Sequence, residues 1–160
     1  MNNKENPLAV GNPAELARQL GHIAEVSMGG SSGGVYSLFF TAVAGELQKG
    51  LTSEVLSSAL SLGVTTIRKY GGADPGDRTM LDALYPASED FKACLKSNQQ
   101  FMEALGSAVK KCKDGAEATA AMKARAGRSS YVSQDRLKNP DPGAMAVTIW
   151  LSAVFDVLSR

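Results

Sequence analysis

NPAELARQLGHIAEVSMGGSSGGVYSLFFTAVAGEL, residues 12–47, is the stretch on which the fold turns. Asn12 can cap a helix, Pro13 fits its first position, and Glu15, three residues after the cap, can reach back to free N–H groups. Leu16, Leu20 and Ile23 then fall on one helical face. A glycine-rich break from Gly29 to Gly34 interrupts the pattern. Val35, Leu38, Phe39, Ala42 and Val43 resume it in a second helix that Gly50 punctuates.

The same period runs through the rest of the chain. A third helix is expected from Thr52 or Ser53 to Tyr70, with Val55, Leu56, Ala59, Leu60 and Ile67 inward. The run Gly71-Gly72-Ala73-Asp74-Pro75-Gly76 cannot be a helix interior, because Gly and Pro both disfavour it. Helical spacing returns with Met80, Leu81 and Leu84, and a break is expected near Pro86 before Phe91 and Leu95. Asn98 can cap a long helix carrying Phe101, Leu105, Ala108, Val109 and Cys112 and ending near Gly127. Residues 127–139 are polar and irregular. Asp141-Pro142 repeats the cap-then-proline start, and Ile149, Trp150, Ala153, Val157 and Leu158 form a last amphipathic stripe. No alternating run between turn signals demands a strand. The class is all-α, a multi-helix bundle.

Composition narrows the function. The 160 residues suit one compact domain. With a net charge of +1 there is no electrostatic case for nucleic acid or an anionic membrane as partner. The small basic groups, Arg68-Lys69 and Lys110, Lys111 and Lys113, read as solvated helix faces. Cys94 and Cys112 do not form a CxxC pair, and His22 cannot complete a zinc site with them; they read as free thiols. No apolar stretch reaches the roughly 20 residues of a membrane span. Met1 to Asn6 is polar and holds no signal-peptide core, so a cytoplasmic protein is expected. The three most irregular, glycine-bearing segments each precede a helix start, where unpaired N–H groups and a partial positive charge suit phosphate. Neither GxxxxGK[ST] nor a strand-linked GxGxxG occurs, which disfavours the two common nucleotide folds.

Four segments in order carry a family resemblance: Met28-Gly29-Gly30-Ser31-Ser32-Gly33; Gly71 to Asp82 (GGADPGDRTMLD); Gly127-Arg128-Ser129-Ser130-Tyr131; and Asp141-Pro142-Gly143-Ala144. From about Gly11 onward the chain resembles the nucleotide-binding L domain of dihydroxyacetone (glycerone) kinases, the triokinase/FMN cyclase-like enzymes included. The resemblance implies an antiparallel eight-helix barrel binding ATP or ADP at one end. Residues 1–11 would be a linker or flexible segment and residues 12–160 the ATP-binding L-type domain. By this match Ser31 and Ser32 contact the phosphates, and Gly71, Thr79 and Met80 line the nucleoside pocket. Arg128 contacts the phosphates, and Asp141, Pro142 and Gly143 close over the adenine or ribose. Asp77 and Arg78 read equally as nucleotide contacts or as a local ion pair with capping value. Tyr131 is expected to pack its own loop.

The match also fails in places. In this family a Gly-Asp-Gly-Asp-like segment upstream of the glycine loop holds Mg2+ against the phosphates; nothing before Gly29 resembles it, the only acids there being Glu5, Glu15 and Glu25. No metal ligand and no catalytic residue is therefore assigned. The expectation is an L domain lacking its first helices, with a short diverged protein as the alternative. Its apolar seam would be covered by another copy, exchanged helices or the missing segment. The family's dihydroxyacetone-binding K domain, in the same or a separate chain, is the implied partner, and His22 does not match its substrate histidine. The implied function is the ATP-binding part of a kinase that transfers the γ-phosphate to dihydroxyacetone or a related triose. The resemblance also offers the FAD-AMP lyase (FMN cyclase) activity of eukaryotic relatives as a second activity of the parent enzyme, and this chain alone is expected to be inactive. The competing reading is a non-catalytic, partner-binding or regulatory L-type module. A third reading, the related kinases acting on fatty acids held by a carrier protein, fits the 36–40 run and the Gly76–Asp82 segment less well.

Overall fold

The local signals at the two Asn/Asp-Pro sites are realised first. In a computed structural model, which describes residues 8–160, Asn12 takes an extended backbone and its side chain accepts the Glu15 N–H at 3.1 Å. Asp141 does the same for Ala144 at 3.0 Å. Each proline occupies the first helical turn, where its missing N–H leaves no intrahelical bond unmade. The Met1–Asn6 segment lies outside the described residues, as does most of the 1–11 linker. Six α-helices follow: α1 (Pro13–Met28), α2 (Gly30–Leu47), α3 (Ser53–Tyr70), α4 (Leu81–Lys96), α5 (Phe101–Ala118) and α6 (Pro142–Leu158). Short 3-10 turns occur at Thr119–Ala121, Arg128–Tyr131 and Gln134–Arg136, and no strand is present among the described residues. The all-α reading holds.

The chain divides into two compact units, Met1–Gly63 and Val64–Arg160. In the first, α1 and α2 pack antiparallel, and the contact is made by small residues. A Cβ on Gly33 would stand 2.8 Å from the Ala24 carbonyl, and one on Gly21 would stand 3.3 Å from Phe40 Cβ. The face of α1 that is buried is Ala14, Ala17, Gly21 and Ala24. This corrects the expected Leu16–Leu20–Ile23 face: the leucines are half-buried and Ile23 is exposed. Backbones this close leave no room for larger side chains between the helices. The expected break from Gly29 to Gly34 shrinks for the same reason. Gly29 and Gly30 take left-handed φ values of 60° and 54°, a conformation natural to glycine. The helix is regained at once, with Gly33 N–H bonding Gly29 O at 3.0 Å. Glu15 pairs with Arg18 at 2.6 Å rather than reaching back. Thr52 begins α3 by accepting the Val55 N–H.

In the second unit, α4, α5 and α6 pack antiparallel in sequence. Phe91 of α4 meets Phe101 of α5 edge to face, with ring centroids 5.8 Å apart. Cys112 of α5 sits 3.4 Å from the Thr148 hydroxyl of α6, and Gly106 faces the Phe155 ring. The expected break at Pro86 does not occur; Pro86 lies inside α4. Having no N–H, it frees the Asp82 carbonyl, and Gly115 of α5 approaches that carbonyl closely enough that a Cβ would stand 2.2 Å away. Asn98 does not cap α5: it closes α4 in the left-handed conformation, φ 59°, one that asparagine tolerates. The long helix ends at Ala118 and continues only through the 3-10 turn, six residues before Gly127. On α6 the buried face is Ala144, Val147, Thr148 and Leu151, whereas Ile149, Val157 and Leu158 of the expected stripe are exposed.

Burial raises the Cys112 thiol above its ordinary pKa, against smaller opposing effects of the Thr148 hydrogen bond and Lys113. A raised folded value means the unfolded thiol ionises first. This contribution to stability is therefore lost as pH climbs from about 8.5, the ordinary cysteine value. With a thiol reagent at pH 8, half-buried Cys94 is expected to react and Cys112 to stay protected until unfolding. Equal labelling of both in the folded protein, read by mass spectrometry, would refute this.

Candidate functional site

The loop from Gly71 to Met80 is held by its own acids. Gly71 N–H extends the last turn of α3 to Ile67 O at 2.7 Å. The Arg68 guanidinium bonds the Asp74 carboxylate, and that hydrogen bond, with the charge behind it, raises the arginine's pKa. Asp77 accepts the Asp74 N–H at 2.8 Å. Asp82, in the first turn of α4 and 6 % exposed, takes the N–H of Gly76 on one oxygen and that of Thr79 on the other. The Thr79 hydroxyl in turn accepts from Leu81 N–H.

Arg78 turns inward. Its backbone φ is 64° and the residue is 2 % exposed. Of the two readings left open for Asp77 and Arg78, the local ion pair does not form. Instead Nη2 donates to the Asn139 carbonyl at 2.7 Å, and Nη1 lies 3.8 Å from Asp141 Oδ1. Nε and Nη1 have no hydrogen-bond partner among the described residues. Asp141 is fixed from both sides. Its N–H donates to Thr119 Oγ1 at 2.7 Å, and its Oδ2 caps α6. Thr119, fully buried, donates to Ala116 O.

This network places Met80 against Gly143, where a Cβ would lie 3.7 Å from Met80 Cβ and Cε and 3.0 Å from Asp141 Oδ2. The N-termini of α4 and α6 thus approach each other beside the buried Arg78, whose charge faces the Asp141 carboxylate, and the N–H groups at such helix starts favour an anionic or electron-rich ligand. Of the residues singled out in the sequence, Met80, Asp141 and Gly143 are brought together, with Thr79 and Pro142 beside them in the chain. Gly71 is exposed at the other end of the loop. Arg128 is exposed on a 3-10 turn entered through Gly127, and has no ion-pair partner among the described residues. Tyr131 is 90 % exposed and does not pack its loop, because no residue of that turn is buried. Ser31 and Ser32 belong to the other unit, exposed in the first turn of α2. No side chain caps that helix, and neither serine hydroxyl is hydrogen-bonded among the described residues. Sequence reasoning missed the burial of Arg78 and the part of Thr119, whose signals depend on residues far along the chain.

The family model of the DAK2 domain matches residues 2–156. The chain belongs to the DAK2 domain family. Across 97 % of its length this DAK2 chain is 43 % identical to the triokinase/FMN cyclase of Homo sapiens, covering 27 % of that protein. It is 40 % identical to the dihydroxyacetone kinase of Citrobacter freundii over 149 residues, 25 % of that protein. The DAK2 chain therefore spans about a quarter of the length of the curated relatives it matches. The crystal structure of the C. freundii dihydroxyacetone kinase in its native form superposes with a TM-score of 0.69 at 35 % identity, over 92 % of this chain and 24 % of that one. The same enzyme in complex with AMP-PNP and Mg2+ superposes at 0.64.

Proposed function

We propose that this chain is the ATP-binding part of a kinase that transfers the γ-phosphate to dihydroxyacetone or a related triose. The start of α2 carries the reading: two left-handed glycines open onto free N–H groups and the unbonded hydroxyls of Ser31 and Ser32. Those donors suit phosphate oxygens, and glycine leaves the backbone open to close approach. In the second unit, Gly71, Thr79 and Met80 receive the nucleoside, the Met80 thioether against the face of the base. Asp141, Pro142 and Gly143 close over the adenine or ribose, and Arg128 supplies a guanidinium fork for phosphate. Similarity to relatives named as kinases, one of them solved with AMP-PNP and Mg2+, supports the assignment.

The side chains of the described residues do not fit a magnesium site. Among those described, no three His, Cys, Asp or Glu side chains stand together, and every acid of the 74–82 loop already accepts hydrogen bonds or an ion pair or shapes the turn. No step through the metal is derived; what these side chains do is bind and orient the phosphoryl donor. The acceptor, and any FAD-AMP lyase activity, belong to a K domain partner and the longer parent enzyme, and the setting is cytoplasmic. A regulatory L-type module that binds a partner without catalysis is the second reading, favoured by that donor set.

Calorimetric titration with ATP and ADP, with and without magnesium, tests the proposal. Weak binding with little magnesium dependence is expected. Arg128→Ala should weaken it about tenfold, roughly 1.4 kcal/mol for a lost charge-assisted contact. Tight, metal-dependent binding would contradict the metal reading, and an unchanged affinity in the variant would remove Arg128 from the site.

A further inference from the structure

Arg78 is the one strongly buried cation of the described core, and nothing near it in sequence accounts for its position. It reaches across 61 residues to the Asn139 carbonyl and places a second nitrogen 3.8 Å from the Asp141 carboxylate. Its own loop is otherwise organised by Asp77 and Asp82, which bond backbone N–H groups and leave the guanidinium untouched. An arginine kept from water in a left-handed backbone conformation is costly on both counts. A compensating role is found where its contacts lead. They fasten the 139–143 segment to the loop that ends at Met80, and so set the gap between Met80 and Gly143.

We propose that Arg78 is a positioning residue for the nucleoside: it clamps the Asp141–Gly143 segment against Met80 without itself touching the ligand. This rests on the nucleotide-binding reading above. The planar fork is what the task requires, since one nitrogen holds the Asn139 carbonyl while another faces Asp141. The neighbouring acid Asp77 is turned to the Asp74 N–H instead.

The test uses the 160-residue chain with Arg78→Met and Arg78→Lys. Hydrogen exchange is read at the Asp141, Ala144 and Met145 amides and, as reference, at Ala104 to Val109 in α5. Arg78→Met should speed exchange at the first group at least tenfold, leave the reference amides unchanged, and weaken ATP at least tenfold by calorimetry. Arg78→Lys, which keeps the charge but not the fork, should fall between wild type and Arg78→Met on both readouts. Unchanged exchange at 141–145, or an equal rise everywhere, would overturn the clamp, as would full ATP affinity in a variant whose exchange had risen. If Arg78→Met does not fold, Arg78→Lys decides alone, and wild-type behaviour on both readouts overturns the proposal. If the wild-type chain binds no ATP, the nucleotide reading fails, while local exchange still shows whether Arg78 holds the segment.

Discussion

Gly115→Ala is expected to destabilise the Val64–Arg160 unit by about 3 kcal/mol, at the upper end of what overpacking costs. In an uncontacted helical site the same change stabilises, because glycine costs about 1 kcal/mol relative to alanine in a helix interior. Here the new Cβ would stand 2.2 Å from the Asp82 carbonyl oxygen, 3.1 Å from its carbon and 3.2 Å from Ala83 Cα. All three are backbone atoms, so no side chain can swing aside. Relief requires the first turn of α4 to move, and that turn carries the Asp82 carboxylate bonded to Gly76 and Thr79. In thermal denaturation the variant should melt about 6–12 °C lower, at 2–4 °C per kcal/mol for a chain of this size. Gly45→Ala is the matched control: helical, with nothing within 4 Å of its Cβ, it should hold or raise the melting temperature. A Gly115→Ala protein as stable as wild type would show that α4 and α5 are not in this contact.

That contact marks the border of what the sequence makes legible. Helix starts that depend on three or four consecutive residues are readable, as at Asn12-Pro13, Thr52 and Asp141-Pro142, because caps act locally. Pro86 reads locally as a break, whereas α4 runs through it and the Asp82 carbonyl it frees is closely approached by Gly115, 29 positions on. The inward faces of α1 and α6 escape a periodicity reading for a related reason. Periodicity weighs large apolar residues, whereas these helices bury alanine, glycine and threonine where backbones approach closely, leaving Ile23, Ile149 and Val157 outside. At the candidate site, the four ordered segments single out nine residues, of which Met80, Asp141 and Gly143 lie together. The resemblance named residues but not their supports. Nothing in Asp77-Arg78-Thr79 signals that the arginine turns inward to a carbonyl 61 residues away.

Asp141→Ala should have the larger effect of the two, about 3–5 kcal/mol, since it leaves a buried charge without its counter-charge. Two losses combine. Removal of the α6 cap, now accepting Ala144 N–H at 3.0 Å, accounts for about 1 kcal/mol. The remainder comes from Arg78, 2 % exposed, which would keep only the Asn139 carbonyl. Asp141→Asn separates these contributions, because an amide oxygen can still cap while the negative charge is gone. It should therefore retain the cap and show most of the destabilisation, whereas a cap-dominated site would leave it near wild type. Chemical denaturation of both variants with unchanged slope gives the comparison directly. The double variant Asp141→Asn with Arg78→Met sharpens it: if the buried charge causes the loss, removing both partners costs less than the two single changes added together. Strict additivity would mean that the 3.8 Å approach carries no coupling, and that the cap and the Thr119 hydrogen bond alone hold the segment in place.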